Sequence, residues 1–197
     1  MVTMRKRWGL VLLSVLAIML FAAGCGQVKL TSQEVKGSVT SLQMDLPFTL
    51  EQQPQEQAAQ NPYVQSITSN MITQAKGMDF HMTQFTTYVL NQETLQKAGA
   101  EQQANLQQKL LESYLLSFEK HVKATEQSRE SKSVNIGEHE ATVTTLYCKM
   151  KGEDEVIKVV FLPLPQEDWF ISFAYPKEHE KDQGKLADQI IASIQVK

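Results

Sequence analysis

Val156-Ile157-Lys158-Val159-Val160-Phe161-Leu162 is the stretch that decides the fold. It is almost wholly apolar and rich in β-branched residues, a pattern typical of a strand that is buried on both faces. Turn-forming residues lie on either side of it, at Gly152-Glu153-Asp154 and across residues 163–168, which contain two prolines. The sequence therefore predicts an interior strand, joined by short turns to a strand before it and a strand after it.

The neighbouring segments predict the rest of a β-meander. Residues 141–151 are rich in Thr, Val and Tyr, and the aromatic segment 169–175 ends at a proline, so we predict a strand in each. A short strand is predicted at residues 133–137, after a polar loop at residues 128–133. Residues 178–194 are predicted to form a C-terminal helix, because their apolar side chains fall on one helical face.

A long central helix is predicted before the meander, over residues 91–126. Its apolar side chains form one stripe at helical spacing. The stripe consists of Leu95, Leu106, Leu110, Leu111, Tyr114, Leu115, Phe118 and Val122. Gly99 costs about 1 kcal/mol in a helix interior, so we expect the well-ordered part of the helix to begin after it.

The segments before this helix show mixed patterns. Apolar residues alternate with polar ones in residues 39–50 and again from Met78 to Tyr88, which predicts two half-buried strands. Residues 51–60 are rich in Gln and predict a surface loop. In residues 61–72, Asn61 and Pro62 suit a helix start and apolar residues follow at helical spacing. The β-branched residues of that segment leave a strand as the alternative.

The element order predicts the fold class and the extent of the domain. Strands and helices in this order are typical of an α+β domain with helices packed on an antiparallel sheet. Met44-Asp45-Leu46-Pro47-Phe48, residues 135–141 and residues 190–194 occur in an order that resembles the PsbP/Mog1-like fold of bacterial lipoproteins of unassigned function. The resemblance implies an accessory or binding role rather than catalysis. We predict a single domain over residues 39–197.

The N-terminus has the layout of an export signal. Arg5-Lys6-Arg7 precedes an apolar run, residues 8–23, and small residues follow. The run is shorter than the ~20 residues that a membrane-spanning helix needs, although an uncleaved anchor is the alternative. Ala22-Ala23-Gly24-Cys25 resembles the lipobox of bacterial lipoproteins.

The lipobox resemblance implies an anchored protein. In that family the signal, here residues 1–24, is removed and the cysteine, here Cys25, carries diacylglycerol. Residues 25–38 would then be a tether that holds the domain at the outer face of a bacterial membrane. The alternative is an ordinary secretory signal, with Cys25 an incidental small residue.

Composition excludes some classes of function. Without the three basic residues of the signal, the chain keeps 16 basic and 22 acidic residues, a net charge of −6. Nucleic-acid binding needs clustered Lys and Arg, so no nucleic-acid partner is expected. Cys148 is the only cysteine besides Cys25, and the domain is therefore expected to depend on its core rather than on disulfides.

Candidate sites were weighed against structural explanations. Trp169 and Phe170 are a possible interaction surface, because Trp is enriched at interfaces; the alternative is that Trp169 covers the core at a strand start.

A copper site is suggested by four residues, Met71, Met78, His81 and Met82. On a strand, however, His81 and Met82 point to opposite faces, so packing of these methionines in the core is preferred. Cys148 is more simply a buried small residue than a nucleophile.

The remaining histidines do not have the spacing of a metal site. Glu138-His139-Glu140 and Glu178-His179-Glu180 lack the pattern that places two His on one helical face. We also find no nucleophile-elbow or phosphate-binding motif, and we predict no metal and no cofactor.

The preferred hypothesis is a lipid-anchored envelope accessory protein without enzymatic activity, which binds a protein or a small ligand. The alternative is an envelope hydrolase or a metal-handling lipoprotein.

Overall fold

The computed structural model describes residues 28–51, 54–73 and 80–197, within which residues 31–197 form one compact unit. Its strands are β1 (Thr31–Lys36), β2 (Ser41–Leu46), β3 (Gln55–Ala58), β4 (Val64–Thr73), β5 (Met82–Leu90), β6 (Thr125–Ile136), β7 (His139–Met150), β8 (Glu153–Leu162), β9 (Glu167–Pro176) and β10 (Gln195–Val196). Its helices are α1 (Gln92–Gln96), α2 (Ala100–Val122) and α3 (Glu180–Ser193), with a 3₁₀ turn, Lys177–His179, directly before α3. Residues 1–24 and Cys25 lie outside the described residues.

The strands form two antiparallel sheets. The larger sheet has the order β3-β4-β5-β9-β8-β7-β6, and the smaller one has the order β1-β2-β10. Helix α2 packs on one face of the larger sheet, against side chains of β5, β7, β8 and β9. Helix α3 and the smaller sheet cover the opposite face, where α3 contacts β2, β8 and β9. The predicted α+β class, with a C-terminal meander, a long central helix and a C-terminal helix, is confirmed.

The interior strands β8 and β9 have no alternating pattern because both of their faces are covered. Every residue of β9 from Glu167 to Tyr175 is buried. Phe170 points to the α2 side, where its ring stacks on Tyr114 with a centroid distance of 4.2 Å. Trp169 points to the other side, where its Nε1 donates to Thr40 Oγ1 at 2.8 Å. The predicted interior strand at residues 156–162 is confirmed as part of β8.

The predicted long helix is divided in two near Gly99. The Asn91 side chain accepts a hydrogen bond from Thr94 N at 3.1 Å and so caps α1. Gly99 precedes α2, and its N–H donates to Gln102 Oε1 at 3.2 Å. The apolar stripe is confirmed, since its residues from Leu106 to Phe118 pack in the core on the sheet. Helix α2 ends at Val122, before the residue 126 that the sequence predicted, because the capping residue Lys123 has a φ of 54° and leaves helical geometry.

The preferred helix at residues 61–72 is wrong, and the alternative strand is correct. Asn61 forms a tight turn, in which its side chain accepts from Tyr63 N at 2.9 Å. Strand β4 then begins, and it pairs with β5 from Val64↔Leu90 to Thr73↔Met82. Apolar residues at helical spacing were present by chance, whereas the β-branched residues suit the pleated ladder.

Two predicted loops and part of the predicted tether contain edge strands. Strand β3 lies within the predicted loop 51–60, and residues 128–133 belong to β6. Strand β1 lies in the segment that was assigned to the tether, 25–38, and pairs with β2. These strands lie at sheet edges and are largely exposed, so their side chains carry no apolar alternation. Only the backbone ladder to a neighbouring strand defines them.

A buried carboxylate joins the β1–β2 turn to the larger sheet. Glu167 is fully buried. Its Oε1 accepts from Ser38 N at 2.7 Å, and its Oε2 accepts from Val39 N, Thr40 N and Thr40 Oγ1 at 2.7–3.1 Å. Thr40 Oγ1 also accepts the indole N–H of Trp169. A Cβ on Gly37 would approach Glu167 Oε2 and Trp169 Cζ2 to 2.6 Å, so only glycine fits there.

We predict that Glu167→Ala lowers the free energy of unfolding by about 2–3 kcal/mol, because backbone donors of the turn lose a charged acceptor. Urea unfolding of the full chain in detergent measures this loss. Glu167→Gln is the matched control, since it keeps the shape and one acceptor oxygen and should lose less. Equal stability of Glu167→Ala and the unaltered protein would contradict the assigned role.

Candidate functional site

A groove of about 1030 Å³ lies between the β3–β4–β5 side of the larger sheet and helix α2. One wall comes from strand residues two apart, which share a face of the sheet: Ile67, Ser69 and Met71 of β4, and Gln84, Thr86 and Tyr88 of β5. The other wall is the C-terminal half of α2, through Tyr114, Ser117, Phe118 and His121, which follow helical spacing. Helix α2 packs on β5 and β7–β9, and no helix of the described residues covers the β3–β4 edge of the sheet, where the groove lies.

The groove floor is a network of amide and hydroxyl groups. Gln84 Nε2 donates to Ser69 Oγ at 2.9 Å and to Thr86 Oγ1 at 3.0 Å, and the two hydroxyls are 3.2 Å apart. Both donors of the Gln84 amide are therefore used within the floor. Its Oε1 is buried and has no hydrogen-bond partner among the described residues, so a ligand donor would bond to it only after a small movement of the Gln84 side chain toward the groove.

Two tyrosines join the floor to the helix wall. The Tyr114 ring stacks on Phe170, and the Tyr88 ring lies 4.8 Å from Phe170. Burial raises the pKa of Tyr114 to about 12, although the nearby Ser172 and Thr86 hydroxyls lower it, and burial also raises the pKa of Tyr88. Both phenols thus stay protonated near neutral pH. The Tyr114 hydroxyl makes no hydrogen bond of normal geometry within the described part of the chain.

The groove is nearly free of charge. Among its described lining residues, Glu51 is the only acid, His121 is the only imidazole, and none is a Lys or an Arg. The rest of the lining combines Gln, Asn, Ser and Thr with Phe, Tyr, Met and Ile side chains. Such a surface suits a ligand that is polar but uncharged, because a charged ligand would lose water without gaining an opposite charge.

A second, smaller pocket of about 290 Å³ lies at the end of the sheet, beneath the start of α2. It lies against α1, the β8–β9 turn and the first residue of β7, His139. Asp168 lines it and is fully buried, and neither of its carboxyl oxygens has a hydrogen-bond partner of normal geometry among the described residues. Burial raises the pKa of Asp168 to about 7, and the nearby Leu164 amide opposes the rise.

Another pair of titratable groups lies at the opposite end of the sheet. His81 Nδ1 is 3.2 Å from Glu155 Oε1, and the Glu155 side chain is buried while that of His81 is 45% exposed. Burial raises the pKa of Glu155, although His81 lowers it. Burial, with Glu155 and Glu119 nearby, also raises the pKa of Cys148 to about 11, so this thiol is not activated as a nucleophile.

The residues of the copper hypothesis do not converge. Met71 is exposed at the groove rim, Met82 is buried in the core, and Met78 lies outside the described residues. His81 is engaged with Glu155. In the described ranges no group of three or more His, Cys, Asp and Glu side chains is placed to hold a metal ion.

The histidines between carboxylates have different surroundings. His139 of Glu138-His139-Glu140 lines the second pocket, whereas His179 is exposed at the start of α3. Trp169 and Phe170 do not form an interaction surface, because both side chains are 0% exposed. The alternative for Trp169, a place in the core, is what the structure has.

The sequence pattern did not indicate either pocket. The groove joins polar residues of three strands with helix residues that lie about 30 to 65 positions further along the sequence, and no local motif connects them. Asp168 stood inside a predicted turn, where an acid is usually solvated. The one signal for the groove was the polar side chains of β4 and β5, since a strand with polar residues on a covered face has a site or a network there.

No helix among the described residues is long and apolar enough to cross a membrane. No protein-family model matches the sequence, and no curated protein matches it either.

Among solved structures, cyanobacterial PsbP (CyanoP) from Synechocystis sp. PCC 6803 is similar, with a TM-score of 0.45, 7% identity, and coverage of 88% of this chain and 96% of that chain. LpqN of Mycobacterium tuberculosis, described as involved in cell envelope biogenesis, has a TM-score of 0.42 and 12% identity over 85% of this chain and 91% of its own. A Pseudomonas aeruginosa protein of unknown function has a TM-score of 0.39 and 11% identity, with coverage of 80% of this chain and 94% of that chain. At these low scores and identities we infer no function from the likenesses.

Proposed function

We propose that this protein is a lipid-anchored accessory protein of the bacterial cell envelope, which binds an uncharged polar ligand in the groove and catalyses no reaction. The observation that carries the proposal is the groove floor, where the buried Gln84 Oε1 has no partner among the described residues. An unpaired buried acceptor costs about 1–3 kcal/mol, and a ligand donor would offset that cost.

The groove chemistry favours a neutral ligand that is rich in hydroxyl groups, such as an oligosaccharide. Hydroxyl and amide side chains can exchange hydrogen bonds with sugar hydroxyls without a change of charge. Tyr88 and Phe118 add apolar ring surface for the ring carbons of a sugar. A volume of about 1030 Å³ is at the upper end of small-molecule sites and accommodates a short oligomer.

An envelope hydrolase is the competing function, because Asp168 and His139 line one pocket. Covalent hydrolysis needs a nucleophile within reach of a base. The described lining of that pocket contains Leu, Pro and Gln besides these two groups, with no hydroxyl or thiol side chain. The groove contains hydroxyls, but its tyrosines stay protonated and His121 is its one imidazole. These features support binding over catalysis.

Binding to the groove is tested with the full chain in detergent and a panel of neutral oligosaccharides, with one uncharged extended peptide and one anionic oligosaccharide included. We expect calorimetry to detect a neutral oligosaccharide. Gln84→Ala should weaken its binding about tenfold, because about 1.4 kcal/mol corresponds to one good hydrogen bond. Gln189→Ala, on the exposed face of α3, is the matched control and should bind normally. Binding of the peptide or the anion alone, or equal binding by Gln84→Ala, would refute the proposed ligand class.

The anchor is tested at Cys25. Cys25→Ser is expected to abolish lipid attachment, since a hydroxyl does not replace the thiol, and to leave precursor or released protein. Cells labelled with an alkynyl fatty acid report the attachment, and Cys148→Ser is the matched control that should keep the label. Undiminished label on Cys25→Ser would refute the anchor. Stable anchoring needs two or more acyl chains, each buried CH₂ contributing about 0.8 kcal/mol.

A further inference from the structure

The second pocket has a feature that the proposed function does not use. Asp168 is 0% exposed, the Leu164 backbone N–H lies close to its carboxyl group, and neither carboxyl oxygen has a hydrogen-bond partner of normal geometry among the described residues. Buried carboxyl groups in proteins are normally paired or hydrogen-bonded, because an unpaired one is costly. Asp168 is among the residues that line a pocket of about 290 Å³, so a ligand in this pocket would lie next to the buried carboxyl group.

The rest of the lining restricts the chemistry of that ligand. Gln103 Nε2 donates to Leu95 O at 3.0 Å and to Ala98 O at 3.1 Å, which leaves its side-chain carbonyl as an acceptor. Asp168 and Gln103 both line the pocket and both carry a side-chain oxygen that accepts hydrogen bonds, so an occupant with several N–H donors suits this lining. The remaining walls are mostly apolar, formed by Leu90, Leu95, Leu106, Pro163, Leu164 and Pro165.

The size and the walls favour an organic cation over a metal ion. A water molecule has a share of about 30 Å³ in the liquid, so the pocket holds far more than one bare ion. Hard metal cations require about six oxygen ligands, and this lining offers one carboxylate and two amides. Apolar walls around two acceptors instead match a short hydrocarbon chain that ends in an ammonium group.

We propose that the pocket beneath the start of α2 binds a small primary amine, with the ammonium group on Asp168 and its hydrocarbon part against the leucine and proline walls. The site is separate from the groove, so it holds or fails independently of the proposed function. Ammonium binding requires the carboxylate, and protons therefore compete with the amine.

Few other charges affect this competition. His139 of β7 lines the pocket, and Tyr88 of β5 is the register partner of Asp168. On α1, Glu93 and Lys97 pair with each other at 2.8 Å and are largely exposed, and on α2 Glu101 is exposed. His139 is thus the other ionisable side chain in the described lining of the pocket, and the test includes a variant that removes its imidazole.

In the test, the full chain in detergent is titrated with n-butylammonium chloride at pH 8, and calorimetry measures the heat of binding. Titrations with 1-butanol and with NaCl are the controls. We expect saturable binding of the amine alone, weakened at least tenfold by Asp168→Asn and unchanged by Asp182→Asn, which alters an exposed acid of α3. Circular dichroism confirms that each variant is folded.

A pH series completes the test. Binding by the unaltered protein and by His139→Gln should both weaken from pH 8 to pH 6, because the proton on Asp168 is the competitor. Equal affinity of Asp168→Asn, equal binding of 1-butanol, or loss of the pH dependence in His139→Gln would overturn the proposal.

Discussion

Asp168→Asn is expected to raise the free energy of unfolding by about 4 kcal/mol at pH 8 and to change it little at pH 4. The pKa of Asp168 is about 7 in the folded protein, against an ordinary value of 3.8. Each unit of difference corresponds to about 1.36 kcal/mol. Because the folded state holds this proton more tightly than the unfolded state, the unaltered protein loses stability as the pH rises from about 4 to 7. Asparagine carries no charge and avoids that loss.

Urea unfolding of both proteins across this pH range measures the difference. Asp182→Asn is again the matched control, since its carboxylate is exposed. An equal gain at pH 4 and pH 8 would show that charge is not the cause. A confirmed gain would mean that the natural residue lowers stability at neutral pH, which is typical of residues that serve a binding site.

Phe170→Ala is expected to lower the free energy of unfolding by about 3–5 kcal/mol, the range for removal of a buried aromatic ring. The Phe170 ring is 0% exposed, and it lies 4.2 Å from the Tyr114 ring, 4.8 Å from the Tyr88 ring and 4.9 Å from the Phe161 ring. Its loss leaves a cavity beneath α2. Tyr88 and Tyr114 also line the groove, so ligand binding there should weaken as well.

Phe170→Leu should retain part of the stability, because it fills more of the same space. Leu116→Ala on the exposed face of α2, where the side chain is 55% exposed, should change the stability by less than about 0.5 kcal/mol. A loss below 1 kcal/mol for Phe170→Ala in urea unfolding would contradict the packing described for this ring.

The sequence predicted the parts of the fold whose burial follows from local pattern. Strand β8 and helix α2 carry long apolar patterns, and both are confirmed. In the segment of strand β4, Val64, Ile67 and Met71 also fit helical spacing and so predict a helix, and only the ladder to β5 decides between helix and strand. Strand β6 has mostly exposed polar side chains, and its backbone pairing with β7 is what makes this segment a strand.

The sites were harder to predict than the fold. Trp169 and Phe170 were a possible interaction surface because Trp is enriched at interfaces, with a core position as the alternative for Trp169, and both side chains are fully buried. The turn composition around Asp168 indicated solvent, while α1 and α2 in fact close over it. Both pockets depend on where helices lie on the sheet, and that placement is a tertiary property that no single segment carries.

The smaller sheet has a consequence for the kinetics of folding. Its middle strand, β2, has β1 on one side and β10 on the other, and Asp45 N donates to Ser193 Oγ across 148 positions of sequence. Contacts between such distant positions form late, because the intervening loop must be closed before they contribute any stability. We therefore expect the domain to fold slowly for its length in stopped-flow refolding, because the two ends of the domain must meet on β2 to complete the smaller sheet.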